Sequence, residues 1–179
     1  MNKYILIGIP NCGKSTLGRR VSEILHLSFF DTDTMARDML KIENPIDLFR
    51  TAFNGQILLA QQKAIYELAA LDSPAIIATR AEVALIPECA KLMKCMGTII
   101  HIERKLENAI DGLKNNESRL VLRNVTNGTE IDMQEKAVKL YAQELSQYEA
   151  LADLTLENDG SEDEGVEKLI NIINSISQN

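Results

Sequence analysis

The stretch Gly8-Ile9-Pro10-Asn11-Cys12-Gly13-Lys14-Ser15-Thr16 follows directly on the apolar run Tyr4-Ile5-Leu6-Ile7. A short buried strand thus leads into a glycine-bounded turn, and a helical pattern from residue 14 to about 26 leads out of it. The spacing G-x-x-x-x-G-K-[ST] in that setting is the P-loop. Gly8 and Gly13 let the backbone turn tightly with its N–H groups facing inward, and the following helix N-terminus adds partial positive charge. Both favour a polyphosphate. Lys14 can reach the β- and γ-phosphates, and the Ser15 hydroxyl can ligate Mg²⁺. Gly8, Pro10, Asn11, Cys12, Gly13, Lys14, Ser15 and Thr16 are therefore expected to hold a nucleoside triphosphate. Cys12 is expected to be a small side chain turned away from the phosphates.

A chain of 179 residues, 45% hydrophobic, suits one domain spanning 1–179. Its net charge of −7 comes with scattered basic residues, so nucleic acid is not an expected partner. Three cysteines without paired spacing argue for a reducing compartment rather than disulfides or zinc. The apolar N-terminus is only a strand long and lacks a cationic leader, and no run reaches the ~20 apolar residues of a membrane span. The expectation is a cytoplasmic protein, monomeric or weakly dimeric, acting on a small molecule.

Apolar runs alternate with helical patterns, the arrangement of an α/β fold with a parallel sheet. Strands are expected at Tyr4–Ile7, Leu27–Phe30, Ala75–Ala78, Thr98–Ile102 and Asp153–Leu156, and their continuous apolar character suits cover on both faces. Helices are expected at 14–26, 33–42, 55–71, 83–95, 105–114, 130–151 and 163–177. The polar, arginine-bearing segment 115–129 lies between two helical patterns. It reads as a mobile lid beside a P-loop, or as a solvated connection. The acidic linker Gly160 to Gly165 reads as a helix cap and can also brush an adenine edge.

Asp31-Thr32-Asp33 follows Leu27-Ser28-Phe29-Phe30 and so stands at the carboxyl end of the second strand, the edge where open α/β sheets bind ligands. Two carboxylates at i and i+2 can face one site. One can hold Mg²⁺ through water while the other takes a proton from a substrate hydroxyl. The alternative is an Asx turn, with Asp33 capping the next helix. His101 is expected to end the fourth strand as a packed residue, and His26 to end the first helix.

Together, Gly8–Ser15 continued by Thr16-Leu17-Gly18-Arg19-Arg20, and Phe30-Asp31-Thr32-Asp33 at matching distance, resemble shikimate kinase. Ser118-Arg119-Leu120-Val121-Leu122 echoes the family's lid motif, and Tyr148 to Asp153 resembles its last helix end. The resemblance implies a three-layer P-loop kinase fold with a five-stranded parallel sheet of order 2-3-1-4-5, ATP and Mg²⁺ as cosubstrates, a closing lid, and a substrate-binding helical segment at about 33–62. It also implies Asp31 on the Mg²⁺ side, Asp33 as partner of the substrate hydroxyl, and Arg119 as the lid arginine on the transferring phosphoryl group. Lys14, Asp33 and Arg119 are then the catalytic set.

The departures from the family fall in one place. Gly55-Gln56-Ile57-Leu58-Leu59-Ala60 carries Ala60 where the family has an arginine, Arg80-Ala81-Glu82 replaces its glycine turn, and Glu144 stands at a second arginine position. Each lost charged contact to a substrate carboxylate costs about 1.5–3 kcal/mol. Two together weaken binding by roughly two to four orders of magnitude. Arg80, at the end of the central strand, and Arg37, one turn beyond Asp33, are the candidate replacements on the substrate side. Either the pocket is rebuilt for shikimate or another acid or polyol, or Arg80 pairs with Glu82 or Glu144 as a structural ion pair. Asp111-Gly112 stands where the family often has a stacking arginine.

Overall fold

The computed structural model describes residues 3–43, 55–109 and 144–177. Its strands are β1 (Lys3–Ile7), β2 (Ser28–Asp31), β3 (Ala75–Ala78), β4 (Gly97–Glu103) and β5 (Leu154–Glu157), each within a residue or so of its expected bounds. All pairings are parallel and the order is β2-β3-β1-β4-β5. The crossover reverses direction at β1, which sits between β3 and β4. The loop after β1 therefore opens at the switch point where such sheets bind ligands.

Every residue of β1 and β3 is buried, as their unbroken apolar runs require. The edge strands β2 and β5 are more exposed than expected, because an edge has one lateral neighbour and less helix above it. Helices α1 (Lys14–Leu25) and α6 (Glu162–Ser177) pack together on one side of the sheet. On the other side lie α2 (Thr32–Leu40), α3 (Gln56–Ala70), α4 (Ala81–Ala84) and α5 (Pro87–Met96). This is the expected three-layer arrangement. Ile5, Leu6, Ile76, Ile77, Ile99 and Ile100 form the fully buried centre.

Three expectations are corrected. The helix at 83–95 is two helices, because Pro87 occupies the first turn of α5 and Ile86 before it is extended at φ −81°, ψ 121°. His101 lies inside β4, paired with Ile7, and does not end the strand. The cap of α2 is Asp31 rather than Asp33: Asp33 N–H and Thr34 N–H donate to Asp31 Oδ1 at 2.9 and 3.2 Å. At the other end of the chain, Ser161 and Glu164 cap α6 reciprocally, and Arg20 of α1 pairs with Glu162 and Asp163. Of the helices expected at 105–114 and 130–151, residues 106–109 and 144–151 are helical. The lid segment 115–129, with Arg119, and Asp111-Gly112 lie outside the described residues.

Candidate active site

The turn after β1 is held by left-handed backbone at Gly8 (φ 139°), Asn11 (φ 60°) and Gly13 (φ 104°). A Cβ on Gly8 would lie 2.6 Å from the Ile102 carbonyl oxygen, so the loop passes too close to β4 for any other residue. Gly13 caps α1 without a side chain, and the first turn carries no acidic residue, so the helix N-terminus meets an anion without competition. Lys14 Nζ curls over the loop and donates to the Gly8 and Ile9 carbonyl oxygens, both at 2.8 Å. Cys12 is fully buried, with Sγ 3.5 Å from Lys14 Nζ, and its carbonyl accepts a 2.8 Å bond from Asn158 Nδ2. Beside the loop is a cavity of about 430 Å³ lined by Lys14, Ser15, Thr16, Arg104, Asn158 and Glu162 among others. Gly160 of the acidic linker also borders it.

The two sequence constellations meet. Ser15 Oγ donates to Asp31 Oδ2 at 2.6 Å, while Oδ1 of the same carboxylate caps α2. One carboxylate thus joins the phosphate loop to the second strand. Among the described residues no cluster of three or more His, Cys, Asp or Glu could cage a metal. A hydroxyl beside a carboxylate suits Mg²⁺, which keeps several waters and takes few protein oxygens when phosphates supply the rest.

Asp33, one residue into α2, faces the same edge. Its Oδ1 accepts from Gln61 Nε2 at 2.5 Å and from Arg80 Nη1 at 3.4 Å. Crowding by protein pushes its carboxyl above the ordinary range, Asp31 adds to that, and Arg80 and Lys14 oppose it. The frame is rigid: Arg80 N–H donates to Thr32 Oγ1 at 3.0 Å, and Thr79 N–H donates to the Leu6 carbonyl. Arg80 also grips Glu82, Nε to Oε2 at 2.8 Å and Nη2 to Oε1 at 3.4 Å. The Arg80–Glu82 pair is therefore formed, and it extends to Asp33. Arg37 bonds instead to Thr34 Oγ1 on its own helix, at 3.2 Å.

Glu144 is buried and accepts a 3.1 Å bond from Tyr148 Oη. Burial raises its carboxyl, and Glu82 nearby raises it further. Tyr148 packs on His101, ring centres 5.5 Å apart. His101 is buried, and desolvation, with Lys14 beside it, lowers its pKa from 6.5 to about 4. The unfolded chain therefore takes up this proton first, so the contribution of His101 to stability is complete above about pH 6.5 and lost as pH falls toward 4. The loss reaches at most roughly 3 kcal/mol. Replacing His101 with Phe should flatten the fall of Tm between those pH values. The raised carboxyls of Asp33 and Glu144 act in the opposite sense but are common to both proteins. An equally steep fall in the variant would exclude His101 as the acid-sensitive group.

Two residues escaped the reading of the sequence. Asn158 could have been found, because it is the polar residue directly after β5 at the ligand edge of the sheet. Gln61 was harder to find: it adjoins Ala60 in the segment expected to bind substrate, but it lies mid-helix in α3, 28 residues from Asp33, and its spacing does not show that it reaches that carboxylate.

Comparison with known proteins agrees with this geometry. Residues 10–174 match the family model for shikimate kinase. A shikimate kinase of Clostridium beijerinckii is 31% identical over 177 residues, covering 99% of this chain and 94% of the relative. Among solved structures, shikimate kinase from Acinetobacter baumannii in complex with shikimate superposes with a TM-score of 0.83 at 19% identity, covering 98% of this chain and 94% of that one. A deoxyadenosine kinase from M. mycoides with bound dATP shares the fold at a TM-score of 0.58 and 14% identity, covering 96% and 99% of the two chains.

Proposed function

The chain belongs to the shikimate kinase family, ATP- and Mg²⁺-using phosphotransferases with a hydroxyl acceptor, and from that premise we propose how its own residues divide the work. Gly8, Pro10, Asn11, Cys12, Gly13, Ser15 and Thr16 form the nucleotide loop, and Lys14 neutralises the β- and γ-phosphates. Ser15 and Asp31 would hold Mg²⁺, which would supply charge neutralisation for the triphosphate. Asp33 orients the acceptor hydroxyl and takes its proton as the hydroxyl oxygen bonds to the γ-phosphorus and the bond from phosphorus to the ADP oxygen breaks. The products are a phosphate monoester and ADP. Arg119 of the 115–129 lid adds positive charge on closure. The helical segment at about 33–62 carries the acceptor side, with Arg80 and Arg37 as its cations. The whole chain works as one domain in the cytoplasm, as a monomer or weak dimer, without nucleic acid.

The observation that carries this reading is the 2.6 Å bond from Ser15 to Asp31, which brings the phosphate loop and the Asp33 turn to one edge. The acceptor we assign is shikimate or a related hydroxylated metabolite. A second reading, an acceptor without a carboxylate, is favoured by one feature: Arg80 is already engaged by Glu82 and Asp33, while Ala60 and Glu144 offer no cation. An ADP-release assay over shikimate, other hydroxylated acids and neutral polyols tests both. Turnover is expected with at least one of them, and the pattern across acids and polyols separates the readings. Nucleotide-induced stabilisation without turnover on any acceptor would instead mark a nucleotide-binding regulator.

A further inference from the structure

We infer that Gln61 is a positioning residue for phosphoryl transfer, holding the acceptor-facing carboxylate Asp33 in one orientation. The inference rests on the role proposed above for Asp33.

Gln61 is fully buried in α3, on the face that carries Ile57, Ala60, Ala64, Ile65 and Leu68. Every other residue on that face is apolar, and a bland core would continue with Leu or Met. The amide instead sends Nε2 to Asp33 Oδ1 at 2.5 Å. Its Oε1 is buried and has no hydrogen-bond partner among the described residues. A buried carbonyl left unsatisfied opposes folding. The residue is therefore poorly explained as a stabiliser of the core and well explained by the single bond it makes. Polar groups that work against stability concentrate where chemistry is done.

The bond has a chemical consequence. It fixes which oxygen of Asp33 is left to face the acceptor. Arg80 contacts Asp33 at 3.4 Å, while its 2.8 Å bond runs from Nε to Glu82. The neutral N–H of Gln61 thus supplies the closer donor. Because both contacts fall on Oδ1, the carboxylate is pinned by one oxygen and Oδ2 serves the acceptor hydroxyl. An amide gives this support without adding charge to the site. A lysine or arginine there would form an ion pair with Asp33 and compete with the acceptor hydroxyl for it.

Gln61→Met keeps length and apolar bulk while removing the donor and the orphaned carbonyl together. Measured on the full chain with ATP and whichever acceptor turns over, kcat should fall roughly ten-fold or more, the loss of one hydrogen bond to a charged group. KM for ATP should stay unchanged. Tm should hold or rise. A purely structural role would lower Tm and leave kcat alone, and that result overturns the inference. Gln61→Glu is the second variant: a carboxyl against Asp33 should lower kcat further, whereas wild-type kcat would sink the idea. Asp33→Asn run alongside separates the two claims. If it keeps full activity, the role of Asp33 itself fails. If it is inactive while Gln61→Met matches wild type, only the role of Gln61 does.

Discussion

Lys14→Met should lower turnover by about 10²–10³-fold or more, the scale for removing one preorganised electrostatic stabiliser, in a protein that still folds. Methionine retains the aliphatic stem along the loop and loses only the ammonium. That ammonium lies 2.8 Å from two loop carbonyl oxygens, so it is already held over the concavity where the transferring phosphoryl group would sit. Its position costs nothing at the moment of reaction, which is what makes such a charge effective. The check is ADP release at saturating acceptor, with Tm measured on the same preparation. Turnover within tenfold of wild type would mean that the phosphates do not lie under Lys14.

Asp33→Asn is the second large effect. Loss of a positioned general base lowers kcat by about 10²–10⁴-fold, and asparagine keeps the shape while it cannot take the proton. Nucleotide binding should survive, because Lys14, Ser15 and the amides of the loop remain, with Asp31 capping α2 as before. Thermal shift against ATP should therefore match wild type while turnover is lost. The substitution also removes the ionised acceptor from Arg80 and Gln61, whose donors would then face a neutral amide. A variant with full activity would place the proton acceptor elsewhere.

Much of this was legible before any coordinates. The strand–turn–helix over residues 4–26 is local: glycines at 8 and 13 meet left-handed backbone, and the apolar runs become the buried β1 and β3. The position of Asp31-Thr32-Asp33 beside the loop was legible because a polar pair ending an apolar strand has one place to go in a parallel sheet. The division of labour at that turn was less so. Whether Asp31 or Asp33 caps the helix depends on where the helix starts, a matter of one residue that periodicity does not resolve. Pro87 was visible, and its break of the 83–95 helix followed from its missing N–H, yet the apolar spacing across it reads as continuous.

What the sequence determined by itself was therefore the chemistry at the carboxyl end of the sheet: a phosphate cradle, a hydroxyl and carboxylate fit for a hard cation, and a second carboxylate two residues on. Those features are set by neighbours in the chain, where short-range geometry leaves few choices. Only the tertiary structure decided what surrounds Asp33. Gln61 comes from α3 and Arg80 from the end of β3, where Glu82 shares the same arginine. Such contacts join residues tens of positions apart, and they depend on which helix face meets which strand end. Spacing along a single chain carries no record of that.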